Sequence, residues 1–265
     1  MDDILTFKTV DISYDTQTAV RGIDFSLHEH EILALIGESG SGKSTIIRAS
    51  ARLPNCGKIT RGKILFHGRN LALLSEKEMR NIRGYKIGVA FQDALAAFCP
   101  VRTIGAQLYE AISAHLKITK LEAKKIALEI FSKLDLDGEN IWDSYPFELS
   151  GGMCARAGIA AAVLPHPDVL LADEPTAALD TISKHGVITE ILNLRQALGT
   201  SVILVTHDMG VAKFADRIIV LKDGEIVENG PAEKILRAPS HPYTKNLLAS
   251  VPKLMKSHEE SYYRN

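Results

Sequence analysis

A chain of 265 residues, 46% hydrophobic and 24% charged, has the makeup of a soluble globular protein, with room for one large domain or two small ones. Its 31 basic and 32 acidic residues leave a formal net charge of −1, so there is no broad electrostatic case for nucleic-acid binding. Cys56, Cys99 and Cys154 are odd in number and lack metal-ligand spacing, the opening Met1-Asp2-Asp3-Ile4 is acidic rather than signal-like, and no apolar run approaches bilayer length. Together these point to a reduced, cytosolic protein that any membrane role would have to reach through other subunits.

Residues 4 to 29 alternate in strand fashion, most clearly in Ile4-Leu5-Thr6-Phe7 and in Gly22 to Leu27. Tyr14 lies between these two segments, where an aromatic ring could stack on an adenine or pack as an ordinary half-buried strand residue. His28 and His30 bracket Glu29 and read as a turn, since no third metal ligand accompanies them. Ile32 to Ile36 is a short apolar run that reads as a buried strand. It feeds Gly37-Glu38-Ser39-Gly40-Ser41-Gly42-Lys43-Ser44, which fits G-x-x-x-x-G-K-[ST] at every fixed position, and Thr45 to Leu53 can continue as a helix. In that context the glycines let successive N–H groups point into one hollow, and the helix N-terminus adds partial positive charge. Lys43 can reach the outer phosphates of a nucleotide, and the Ser44 hydroxyl can hold Mg²⁺.

Gly62 to Gly68 reads as a strand closed by a turn, and Ser75 with Glu78 makes a capping box that starts a short helix. Ile87 to Phe91 is a further strand, delivering Gln92 to its end, where side chains of an α/β sheet meet ligands. From Thr103 to Leu164 the period turns helical, as if a helical insertion interrupted the sheet. Within it, Ser150-Gly151-Gly152-Met153 opens an Ala- and Ile-rich helix, either as an anion-facing N-terminus or as a plain helix start capped by Ser150. Val169 to Ala172 is a buried strand tipped by Asp173-Glu174, two carboxylates that call for a cation or a partner. Strand alternation suits a division between them, one toward Mg²⁺ and the other toward water. Val202 to Thr206 is one more strand and ends at His207, and Asp223-Gly224 is a hairpin turn between Arg217–Lys222 and Glu225–Val227. The stretch from Lys253 to Asn265 is polar, with the look of a loosely held terminus.

The phosphate loop, Gln92, Leu149-Ser150-Gly151-Gly152, Asp173-Glu174, Asp180 and His207 stand in one order. That set resembles the ATP-binding subunits of ABC transporters over nearly the whole chain. The resemblance implies a P-loop, RecA-like α/β ATPase core with an N-terminal antiparallel β-subdomain and an inserted helical signature subdomain. It implies one nucleotide-binding domain over residues 4–236, with the helical part at about 93–164, and a C-terminal extension over 237–265. Gly37, Glu38, Ser39, Gly40, Ser41, Gly42, Lys43, Ser44 and Thr45, with Gln92, would then bind the ATP, with Tyr14 stacked on the adenine. Ser44, Gln92 and Asp173 would hold Mg²⁺. Glu174 would be the general base, and His207 would contact the γ-phosphate. Ser150, Gly151, Gly152 and Met153 would act across an interface on the ATP of a second subunit, and Asp180 would link the two sites. The segment from Asp93 to Arg102 would transmit the cycle to the membrane.

A narrower likeness lies in Leu74 to Gly84, in Tyr145-Pro146-Phe147-Glu148-Leu149-Ser150-Gly151-Gly152-Met153 and in His241-Pro242-Tyr243-Thr244, which are similar to the oligopeptide, dipeptide and nickel importer subfamily. Met153 replaces the glutamine common in the wider family, which implies pairing with a second, non-identical ATPase subunit; a homodimer is the alternative. Two permease subunits and an extracytoplasmic solute-binding protein would complete an importer at the cytoplasmic face of the cell membrane, its cargo a peptide, nickel or a metal chelate. Departures fall at Asp93 to Pro100, where a proline- and methionine-bearing segment is usual, and at Cys154-Ala155-Arg156. Many members carry an iron–sulfur cysteine cluster in a longer tail. This sequence has no cysteine after Cys154, so no cluster is expected and the cargo expectation tilts toward nickel or a chelate. A soluble ABC ATPase acting on nucleic acid or ribosomes and an exporter subunit are the alternatives; the near-neutral charge argues against the first.

Overall fold

The computed structural model describes residues 2–177 and 179–250, so Ala178 and the polar stretch from Lys253 onward lie outside the described residues. Two long strands, β1 (Asp3–Tyr14) and β2 (Gln17–His28), pair antiparallel, so the second strand runs to His28 and only the following residues turn. β3 (Ile32–Ile36) enters a different sheet and leads through the glycine loop to helix α1 (Lys43–Ser50). β4 (Lys58–Phe66) returns to pair with β1, and β5 (Arg69–Asn70) pairs with β4. Helix α2 (Glu76–Arg80) starts at Ser75 with both halves of the capping box formed. β6 (Ile87–Ala90) then precedes five helices: α3 (Ala94–Ala97), α4 (Ile104–Ser113), α5 (Lys120–Lys133), α6 (Gly138–Asp143) and α7 (Gly151–Val163). The chain continues through β7 (Val169–Asp173), α8 (Thr181–Leu198), β8 (Ser201–Thr206), α9 (Met209–Ala212), β9 (Arg217–Lys222), β10 (Glu225–Pro231), α10 (Ala232–Arg237) and α11 (Pro242–Ala249).

The first sheet has the order β2-β1-β4-β5 and is antiparallel; the second has the order β10-β9-β3-β8-β7-β6, parallel but for its β10 edge. β3 and β8 are buried along their whole length, the pattern of parallel strands covered on both faces. Alternation sorts their side chains. Leu33, Leu35, Ile203 and Val205 share one core with Leu5, Phe7, Ile12 and Leu27 of the antiparallel sheet. Ile32, Ala34, Ile36, Val202 and Leu204 share the other core with helical residues such as Ile104, Phe131, Ala157 and Ile191. The parallel sheet is thus the middle layer, with the antiparallel sheet on one face and helices on the other. Each fully buried Leu or Ile in these layers contributes about 1.5–3 kcal/mol of transfer free energy.

The hairpin at Asp223-Gly224 has both residues at positive φ (49° and 83°), as a tight two-residue turn requires. Its Gly224 carbonyl accepts the Arg21 N–H at 2.8 Å, tying the end of the parallel sheet to β2. Gly88 in β6 has no room for a side chain, because a Cβ there would meet the Ala162 carbonyl oxygen at 2.1 Å. That close approach seats α7 on the sheet.

Candidate nucleotide site

The carboxyl ends of β3, β6, β7 and β8 face one hollow of about 690 Å³, lined by Ala19, the loop residues from Gly37 to Thr45 (the buried Ser41 excepted), Gln92, Glu174, His207 and Leu247. Gly37 begins the loop at φ 154°, and a Cβ on it would come within 2.2 Å of the Leu221 carbonyl oxygen. Glycine is therefore required there to lay the loop against β9. Gly40 and Gly42 also take positive φ (84° and 100°), which curls the backbone before α1.

Lys43 is buried, and its ammonium donates to the Gly37 carbonyl at 2.7 Å and the Glu38 carbonyl at 2.8 Å. Burial lowers its pKa, while the carboxylates of Glu174, Asp173 and Glu38 pull the other way. The Ser44 hydroxyl donates to Asp173 Oδ1 at 3.2 Å. Burial raises the Asp173 pKa, the Ser44 hydrogen bond opposes that, and neighbouring Glu174 adds to it. The Ser44 hydroxyl and the half-buried Asp173 carboxylate, with the Gln92 amide on the wall of the same hollow, offer hard-oxygen donors of the kind Mg²⁺ takes.

Glu174 leaves the strand at φ 46°, yet its N–H still donates to the Val205 carbonyl at 3.0 Å. This left-handed step, rather than simple strand alternation, separates the two carboxylates. Asp173 turns to Ser44, while Glu174 Oε2 lies 3.1 Å from His207 Nδ1. His207 is 60% exposed and Glu174 18% exposed, so the pair spans the wall of the hollow and its mouth.

The structure brings Gly37 to Thr45, Gln92, Asp173, Glu174 and His207 together. Tyr14 stands beside them, its hydroxyl donating to Thr45 Oγ1 at 3.4 Å, and is not among the residues lining the hollow. Ser150, Gly151, Gly152 and Met153 do not line it either. Ser150 caps α7 by accepting the Met153 N–H at 3.3 Å, and Gly151 borders a separate groove of about 510 Å³ with Ala177 and Leu179. Gln92 lines both hollows. Asp180 accepts the N–H and the hydroxyl of Ser183 at 3.1 and 2.7 Å, which fixes the start of α8. After Gln92, Asp93 caps α3 by accepting the Ala96 N–H at 2.9 Å, and Phe91, Leu95 and Val101 stand exposed around it.

Three residues at the site lie outside the phosphate-loop, strand-tip and signature motifs. Ala19 and Leu247 line the hollow, and the Tyr243 hydroxyl accepts the Glu38 N–H at 3.0 Å. His241-Pro242 marks a helix start, but the 205-residue separation between Glu38 and Tyr243 leaves no local trace of the contact. Arg156 has a structural part that its spacing does not show: its Nε donates to both Glu190 carboxylate oxygens at 2.9 Å, locking α7 to α8 in a mostly buried setting.

Comparisons with known proteins identify the family. The ABC transporter family model matches residues 20–177, and the model of the oligopeptide/dipeptide transporter C-terminal region matches residues 227–264. The chain is 43% identical over 265 residues to the oligopeptide transport ATP-binding protein OppD of Bacillus subtilis, covering 97% of this chain and 74% of that protein. It is 40% identical over 267 residues to the oligopeptide transport ATP-binding protein AmiE of Streptococcus pneumoniae, covering 98% and 75%. It is 41% identical over 263 residues to the dipeptide transport ATP-binding protein DppD of Bacillus subtilis, covering 96% and 78%. Among solved structures it resembles the post-hydrolysis dimer of the ATP-binding cassette MJ0796 bound to ADP and Pi, with a TM-score of 0.78 and 30% identity over 86% of this chain and 98% of that one. It also resembles cbiO1 of Clostridium perfringens, part of the ABC transporter complex cbiONQ, with a TM-score of 0.79 and 25% identity over 89% and 91%.

Proposed function

Since the chain belongs to the ABC transporter ATP-binding family, we propose that it binds and hydrolyses ATP to drive a peptide importer, with the side chains of its hollow in the roles the motifs assign. The observation that carries this reading is the Glu174–His207 contact at the mouth of the phosphate-loop hollow. The loop amides and the N-terminus of α1 hold the ATP phosphates. Lys43 leaves the carbonyls of Gly37 and Glu38 to reach the outer phosphates, whose negative charge offsets the desolvation that burial imposes on its ammonium. Tyr14 stacks on the adenine from its place beside Thr45. Ser44, Asp173 and Gln92 would hold Mg²⁺, which would supply neutralising charge for the transferring phosphoryl group. Glu174 accepts a proton from the attacking water, and His207 keeps that carboxylate oriented and faces the γ-phosphate.

Ser150, Gly151, Gly152 and Met153 serve the ATP of a second ATPase subunit, which fits their place outside this chain's own hollow. Asp180 joins the two sites across the interface. The exposed apolar group of Phe91, Leu95 and Val101, next to Gln92, meets a permease subunit. ATP favours the closed pair and its hydrolysis releases it, a population shift that Gln92 and α3 pass onward. The partners are a non-identical ATPase chain, two permeases and a solute-binding protein, at the cytoplasmic face of the cell membrane. No helix of the described residues is long and apolar enough to cross a membrane, so attachment runs through the permeases.

For cargo, the named relatives favour peptides over nickel or a metal chelate, since three of them are called oligopeptide or dipeptide transport proteins. Transport of labelled peptide by the assembled importer, set against labelled nickel, tests this. Uptake of nickel alone would reverse the assignment.

A further inference from the structure

Helix α11 begins where β10 can hold it. The Glu228 carboxylate accepts the N–H groups of Ser240 and His241 at 2.6 and 3.2 Å, and His241 Nδ1 accepts the Tyr243 N–H at 3.2 Å. Thr244, on the inner face of the helix, is fully buried. One turn of α11 therefore has a fixed position, and that position meets the phosphate loop. The Tyr243 hydroxyl accepts the Glu38 N–H at 3.0 Å, and the Lys222 ammonium sits 5.4 Å from the centre of the Tyr243 ring. Leu247, one turn further on, lines the hollow itself.

Glu38 is held from two sides. Its N–H is taken by Tyr243, and its carbonyl takes the Lys43 ammonium at 2.8 Å. Tyr243 keeps its hold when Lys43 moves to the phosphates, and a loop whose second residue is anchored so has fewer conformations to lose when its amides close, so less ordering entropy opposes binding. The contact is made by a segment matched by the model of the oligopeptide/dipeptide transporter C-terminal region, not by the ATPase core.

Resting on the ATP-binding reading of the hollow, we infer that α11 is a working wall of the nucleotide site: Tyr243 positions the phosphate loop through the Glu38 amide, Leu247 closes the hollow beside it, and the two together set the affinity for ATP. Tyr243 is a positioning residue and touches no reacting atom. The C-terminal region is thereby coupled to the occupancy of the catalytic site within one chain.

The test is a titration of the full chain with ATP, read as Kd, together with its thermal midpoint without nucleotide. Tyr243→Phe keeps the ring over Lys222 and removes only the hydroxyl. With one partly solvated hydrogen bond lost, it should weaken ATP binding about threefold to fivefold at an unchanged midpoint. Leu247→Ala should weaken it comparably, and Lys245→Ala, on the exposed side of the same helix, should not weaken it. Unchanged affinity in Tyr243→Phe and Leu247→Ala would overturn the inference. So would an affinity loss that tracks a lowered midpoint, or an equal loss in Lys245→Ala. Wild-type protein that takes up no ATP would overturn the ATPase reading itself, a failure distinct from the others.

Discussion

Glu174 Oε2 lies 3.1 Å from His207 Nδ1, at the tips of two neighbouring parallel strands whose register sets Asp173 opposite Val205. The sheet thus fixes the two side chains relative to each other, while the left-handed step at Glu174 turns its carboxylate away from Asp173. Removing the carboxylate charge should leave the phosphate cradle intact. Glu174→Gln should lower ATP turnover about 10²- to 10⁴-fold while ATP binding stays near wild type. Parallel measurements of hydrolysis rate and nucleotide Kd check this, and unchanged hydrolysis would remove Glu174 from the role.

Asp173 gives a prediction in which stability and activity move in opposite directions. Burial holds its folded-state pKa above the unfolded value. The native state therefore binds the proton more tightly, and the associated stability is present below the unfolded pKa and lost as pH rises through the folded pKa. At neutral pH the ionised form is a burden on the fold. Asp173→Asn should raise the thermal midpoint at pH 7 in the absence of Mg²⁺, with a smaller gain at pH 4, and should abolish Mg²⁺-dependent hydrolysis. An equal midpoint shift at both pH values would contradict the burial argument.

Gly37→Ala tests the seat of the loop. The added Cβ would press on the Leu221 carbonyl in β9, a backbone atom that cannot step aside. Overpacking of this kind costs about 1–3 kcal/mol, and the displaced loop should lose ATP binding as well. Chemical denaturation and ATP titration of the same variant measure both effects.

Gly151→Asp separates roles within and between subunits. The nearest atom to a Cβ there is Leu179 Cδ2 at 3.9 Å, so the side chain fits and the chain should fold normally. The new carboxylate would face the phosphates held by a second ATPase subunit. The isolated variant should bind ATP as wild type does, and the assembled transporter carrying it should lose most of its turnover. Loss of ATP binding by the isolated chain would place the signature residues in the wrong site.

Much of this architecture is legible in the residues. Ile32 to Ile36 reads as a buried strand because both its faces are covered, and the glycine loop needs that strand before it and α1 behind it. Ser75 with Glu78 and the Asp223-Gly224 pair are local devices, so spacing alone reveals them. Asp173, Glu174 and His207 stand out because they follow apolar strands, where an α/β sheet presents its ligand-facing side chains. The layering of two sheets is harder to read. Alternation in β1 and β2 shows that one face is buried, not what buries it. The Arg156–Glu190 lock and the Tyr243–Glu38 contact join helices or loops far apart in the chain, and periodicity gives a buried face without naming its neighbour. The separation of Asp173 from Glu174 looks like strand alternation in sequence, yet it is made by one residue at positive φ.

The most direct test of the account is to isolate this chain from its native membranes in mild detergent and determine the mass, composition and ATP hydrolysis of the assembly with and without peptide. The account predicts one copy of this chain with a second, different ATPase, two permeases and a solute-binding protein, and hydrolysis that rises when peptide is supplied. Two copies of this chain would contradict the unequal ATPase pair. Recovery only from the soluble fraction, bound to nucleic acid or ribosomes, would contradict the importer itself.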